Sequence, residues 1–298
     1  MWTESFARFV LPARRYPSPW RLVGGSVVIL FVYTATIAAM MVGITAILGP
    51  DRGTAWLGDL VSGTTPYAVL VLLATFAGMF AGPLIAVRWL HHASPATLFG
   101  ARPVATFAAA ATITALVFLA TILLPAPFDA VRQTPIGTFL LYLVPALAGI
   151  LLQTGAEELV FRGYLQPQLA ARFDSPLVWM VAPALVFGLL HYDPASTGDN
   201  APWIVGAAVL FGLVAADLTR VTGGIGAAWG VHFVNNASAI LILALHGSLS
   251  GLALWRTPFG ADDVATLPPM LLHDMLVTVL VWACIRLWLA RGDGTARG

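Results

Sequence analysis

Gln153-Thr154-Gly155-Ala156-Glu157-Glu158-Leu159-Val160-Phe161-Arg162-Gly163 puts two adjacent carboxylates and a guanidinium within six positions, after a long apolar run and ahead of further apolar sequence. Ionised groups at membrane depth are costly and mark functional sites by default. The reading of this stretch therefore turns on whether the rest of the chain belongs in a bilayer.

The composition says that it does. Of 298 residues, 59% are hydrophobic and only 10% charged, against about 25% charged in soluble domains. A water-soluble fold of this composition would expose large apolar patches. Apolar stretches fall at 22–48, 67–90, 104–124, 137–160, 176–191, 203–219, 223–245 and 269–289. Most reach or approach the roughly 20 residues a helix needs to cross hydrocarbon. The predicted fold class is an all-α polytopic membrane protein of about eight transmembrane helices.

Residues 1–21 read as a basic N-terminal cytoplasmic segment, with Arg8, Arg14, Arg15 and Arg21 beside Pro12, Pro17 and Pro19. They lack a short apolar core ending in a small-residue cleavage site, so the first span is expected to act as an uncleaved anchor. Residues 22–289 form the helical domain and 290–298 a cytoplasmic tail. Arginines cluster in the N-terminal segment, at Arg88 and Arg102, at Arg162 and Arg172, and at Arg286, Arg291 and Arg297. The opposite loops carry Asp51, Asp59, Asp193, Asp199, Asp262 and Asp263. The positive-inside rule then places both termini in the cytoplasm of a multi-pass cell-membrane protein. A lone cysteine, Cys284, excludes an internal disulfide framework and a multi-cysteine metal site.

Three groups of polar residues stand out inside the apolar stretches. Glu158 and Arg162 lie four apart and can pair on one helical turn; Glu157 points about 100° away, so one carboxylate can be structural and the other free to face a cavity. His191 closes Phe187-Gly188-Leu189-Leu190-His191. His232 and Asn236 share a helical face within Ala228-Trp229-Gly230-Val231-His232-Phe233-Val234-Asn235-Asn236. Each has a structural alternative: charges reaching water at a helix end, an interfacial histidine, or an interhelical hydrogen-bond network. Taken together, a carboxylate, two imidazoles and a carboxamide suit hydrolysis by activated water. Glutamate with two histidines is also a zinc set, but no His-Glu-x-x-His is present. The residues alone leave metal-free and metal-dependent hydrolysis both open.

The order Glu157-Glu158-x-x-x-Arg162, Phe187-x-x-x-His191, His232-x-x-x-Asn236 resembles the CAAX-protease and bacteriocin-processing family, whose eukaryotic members are the type II CAAX prenyl endopeptidases of the Rce1-like kind. The resemblance covers about 150–245 and sets a protease core at about 137–245 in an Rce1-like helical bundle. It implies an intramembrane endopeptidase in which Glu157 activates water with help from His191. By the same likeness His232 and Asn236 stabilise the oxyanion, and Glu158 and Arg162 support the site. It also implies no cofactor and no metal, a membrane-associated peptide or protein as substrate, and the lipid bilayer as the surrounding partner. Nothing in the chain suggests nucleic-acid binding. Two other classes fit buried acids and histidines: a transporter or proton pathway, and a non-catalytic immunity or scaffold protein. Simple counting sets Glu157 near the inner end of its span and His191 near the outer end of the next, a mismatch the fold must resolve if they share a site.

Overall fold

A computed structural model of the chain describes residues 2–122 and 128–295. Met1, the last two residues of the expected third span (123–124) and Arg297 of the tail lie outside the described residues. Twelve α-helices follow in order: α1 Glu4–Arg14, α2 Pro19–Leu48, α3 Pro50–Ser62, α4 Pro66–Leu90, α5 Pro103–Ile122, α6 Ile136–Glu158, α7 Gln166–Ala170, α8 Ala182–Leu189, α9 Pro194–Thr197, α10 Ala201–Thr222, α11 Gly226–Ala237 and α12 Leu267–Thr295. Among the described residues six helices are long and apolar enough to cross a membrane, and Leu177–Leu189 is a shorter apolar helix. The molecule is a polytopic helical membrane bundle.

The long apolar helices fall on the expected apolar stretches, while α3 and the short α9 lie between them; two further departures stand out. Three two-residue strands, β1 Val131–Arg132, β2 Leu243–Ala244 and β3 Trp255–Arg256, form a small sheet of order β1-β3-β2 at one end of the bundle. The expected seventh span, 223–245, therefore ends in a strand, where passing loops pair backbone groups that no helix satisfies. The second departure is at the N-terminus. Thr3 caps α1 by accepting from the Phe6 N–H at 3.1 Å, and the helix turns Phe6, Phe9, Val10 and Ala13 inward. Phe6 lies 5.0 Å from the buried ring of Trp179. The basic leader thus includes a helix docked in the main core.

The helix through Glu157 does not stop at Glu158. A π-helical turn, Leu159–Leu165, carries it into α7, giving one 35-residue span, Ile136–Ala170. The proline at 167 supplies a reason. Its ring would clash with the carbonyl four residues back in a regular helix, and a widened turn relieves that clash. Pro183 follows a second π-turn, Leu177–Val181, by the same spacing. Residues 171–176 then reverse the chain, and Leu177–Leu189 runs back along the helix it has just left. Phe187 meets Phe161 edge to face at 5.2 Å. This hairpin resolves the mismatch in depth: Glu157 is well inside its long helix, and the return helix carries His191 back toward it.

Helices α8 and α10 cross closely. A Cβ on Gly212 would sit 2.9 Å from that of Ala184. Asp217, further along α10, accepts from Arg220 at 2.7 Å and from the Trp282 indole N–H at 2.8 Å, and also binds Arg286; α12 is anchored there. At the α1 end of the bundle, buried His91 bonds the Tyr164 hydroxyl at 2.9 Å. Burial, with the cationic Arg172 and Arg21 nearby, pushes His91 down to about 4, so this junction of α4 with the long helix is neutral near pH 7. Gly212→Val is expected to destabilise the bundle by about 1–3 kcal/mol through overpacking. Gly206→Ala, into open space, should leave it unchanged; thermal unfolding of the two variants in detergent measures the difference.

Candidate active site

Four charged or titratable side chains meet where α6, its π-turn and α11 touch. Glu158 is fully buried, and its Oε1 accepts from Arg162 Nη1 at 3.0 Å and from His232 Nδ1 at 2.8 Å. Glu157, on the next position of the helix, brings Oε2 to 3.3 Å from His232 Nε2. The imidazole is thus held between neighbouring carboxylates. Its Nδ1 has the shorter hydrogen bond, and its Nε2 faces the carboxylate that retains a little exposure, 13% against 0% for Glu158.

The hydrogen-bond inventory constrains this cluster. A neutral imidazole has one donor and one acceptor, and an ionised carboxylate only accepts. Nδ1–H is committed to Glu158, and Nε2 lies within ion-pair distance of Glu157. Arg162 offsets one of the two carboxylate charges in this low-dielectric interior.

Aromatic rings close the cluster. Arg162 is 2% exposed. Its carbon Cζ lies 4.8 Å from the Phe187 ring centre, and Nη2 donates to the Gly212 carbonyl at 3.4 Å. Phe211 covers the His232 ring at 4.7 Å. Phe187 touches both imidazoles, at 4.9 Å from His191 and 6.1 Å from His232. His191 itself is exposed. Its Nδ1–H donates to the Phe187 carbonyl at 2.8 Å, which leaves Nε2 as the acceptor. His191 shares this aromatic wall with the cluster without hydrogen-bonding to Glu157 or His232.

Asn236 lies one turn along α11 from His232 and donates Nδ2–H to Gln153 Oε1 at 2.8 Å. Because α6 and α11 run antiparallel, Gln153 with Asn236 and Glu157 with His232 form two rungs one turn apart. Gln153 is buried, at 7% exposure. The motif reading gave it no part, although an amide in an apolar helix four residues before Glu157 was a visible signal. Trp229, at the other end of α11, donates to Thr154 Oγ1 at 3.2 Å and fixes the register. Among the described residues no group of three or more His, Cys, Asp or Glu is arranged to hold a metal ion.

Arg162→Ala strands Glu158 without its cation in a dry interior. A loss of about 3–5 kcal/mol is expected in thermal unfolding. The paired apolar replacement Glu158→Leu with Arg162→Met should recover much of it, because no lone charge remains buried.

Comparison with known proteins now bears on these residues. Residues 138–238 match the family model described as Type II CAAX prenyl endopeptidase Rce1-like. A Bacillus subtilis (strain 168) protein named only as uncharacterized protein YyaK is 31% identical over 113 residues, which is 38% of this chain and 38% of that protein. No solved structure matches. The matched segment contains Gln153, both glutamates, Arg162, both histidines and Asn236, and over that segment the chain is similar to the Rce1-like CAAX endopeptidases.

Proposed function

We propose that this protein is an intramembrane endopeptidase that hydrolyses peptide bonds of a membrane-associated protein or peptide with water activated by glutamate and histidine. The observation that carries this reading is the imidazole of His232 held between Glu157 and Glu158 inside an apolar bundle. In the proposed reaction, water bound at Glu157 loses a proton to the carboxylate as its oxygen attacks the scissile carbonyl carbon. His191, exposed and with Nδ1 tied to the Phe187 carbonyl, orients that water from the opposite side. The carbonyl electron pair moves onto oxygen, where the Asn236 amide N–H and the His232 edge of the site stabilise it. Collapse re-forms the carbonyl and breaks the C–N bond, and the proton held at Glu157 passes to the departing amine. Glu158 and Arg162 touch no reacting atom; they fix the His232 ring.

No step in this scheme requires a metal or another cofactor. Both His232 nitrogens already face carboxylate oxygens, which supports the metal-free form. The chain would cross the membrane eight times, with Leu177–Leu189 and the segment built on α11 as two short crossings and both termini in the cytoplasm. The lipid bilayer is then its solvent and the route by which substrate arrives. Reporter fusions at each end should both read as cytoplasmic.

The main test uses the full chain in proteoliposomes with quenched fluorogenic peptides, a farnesylated CAAX peptide and unlipidated peptides among them. Glu157→Gln, nearly isosteric, should lower kcat by at least about 100-fold while leaving the unfolding temperature unchanged. Wild-type cleavage should survive exhaustive chelation. Cleavage at the wild-type rate in a folded Glu157→Gln protein would exclude this mechanism, and a solute flux abolished by the same substitution would favour a transporter.

A further inference from the structure

We infer that Gln153 is a positioning residue of the active site, acting through Asn236; the inference rests on the endopeptidase reading above. A side-chain amide offers one acceptor oxygen and two N–H donors. In Asn236 one donor goes to Gln153 Oε1 at 2.8 Å, and Oδ1 accepts from Asn235 Nδ2 at 3.3 Å. In this arrangement the Asn236 oxygen faces Asn235 and its nitrogen faces Gln153. The two bonds stop the group from rotating about its last bond, and the second N–H is left to meet an oxyanion.

The geometry gives the interaction a purpose that packing alone does not need. Gln153 stands on α6 four residues before Glu157, and Asn236 on α11 four residues after His232. Each helix therefore presents one reacting group and one group of the Gln153–Asn236 pair on the same face. The bond at 2.8 Å ties the donor on one helix to the helix that carries the Glu157 carboxylate. A donor aimed in advance costs no reorganisation when negative charge develops, which is where such a group gains its effect. An unaimed carboxamide would rotate to the best ground-state partner and lose the transition-state one. Asn236 is only partly buried, whereas Gln153 is buried.

The test is a double-substitution cycle on the full chain in proteoliposomes, with the peptide that wild type cleaves best. Gln153→Met keeps the shape and removes the acceptor, and is expected to lower kcat about tenfold with KM unchanged. Asn236→Ala should lower it about 100-fold. The double variant should match Asn236→Ala alone, because Gln153 has nothing left to aim. Gln153→Glu, which keeps an acceptor for the Asn236 N–H, should recover most of the rate. Full multiplication of the two losses, or wild-type kcat in folded Gln153→Met, overturns the inference. Gln153→Ala is read in the same way if the Met variant does not fold, and failure of both to fold assigns Gln153 to structure and also overturns it. If wild type cleaves and Glu157→Gln does not, such a result removes only Gln153's role; if wild type cleaves nothing, the endopeptidase reading itself falls.

Discussion

One imidazole between two consecutive carboxylates is the constraint on which the rest of the structure depends. Consecutive positions on a helix diverge by about 100°, so Glu157 and Glu158 can both reach His232 only if α11 lies close along α6 with its ring in the wedge between them. The antiparallel pairing of these helices, the indole of Trp229 on Thr154, and the amide pair Gln153–Asn236 all serve that register. The arrangement is expensive unless it is complete. Arg162 supplies the missing charge, Phe187 and Phe211 enclose it, and the Gly212 carbonyl takes a remaining guanidinium hydrogen.

The same constraint explains the irregular backbone next to it. Leu159–Leu165 is widened to a π-turn ahead of Pro167, and Arg162 lies within that turn. The extra residue alters the phase of the helix without breaking it, so the chain continues to Ala170 before reversing. The return helix is short because it has only to climb from that reversal to the depth of the cluster. Its last turn sets Phe187 against Arg162 and leaves His191 just beyond the helix end, exposed and with one nitrogen tied to the backbone. A lip residue and a buried residue thus flank a single phenyl ring.

Much of this was legible in the sequence, and the residues show why. Hydrocarbon thickness dictates apolar length, so the bundle could be read from composition and run length. Fixed helical spacing made Glu158 with Arg162 and His232 with Asn236 legible as pairs sharing a face. The π-turns were not legible, because a widened turn answers a local steric conflict that the apolar pattern does not encode. The docking of α1 was masked by its arginines, although Phe6, Phe9, Val10 and Ala13 carry a helical stripe. The role of Asp217 was not legible, because its partners Trp282 and Arg286 lie more than sixty residues away. Gln153 had polarity but no charge, and its meaning depended on a partner in another helix.

The division of labour between the two glutamates follows from what each one touches. Glu158 is sealed, with one oxygen shared by an arginine and an imidazole and the other buried without a partner. No water reaches it, and moving a proton to or from it would leave Arg162 or His232 uncompensated in a dry interior. Glu157 meets His232 at 3.3 Å and has a small exposed face. In the proposed reaction it takes a proton from water on one side with His232 on the other, and the charge the cluster gains is balanced by the negative charge that develops on the attacking oxygen and the carbonyl oxygen beside it. Two identical side chains one residue apart therefore differ in access, and it is this difference on which the proposed assignment of water activation to Glu157 rests.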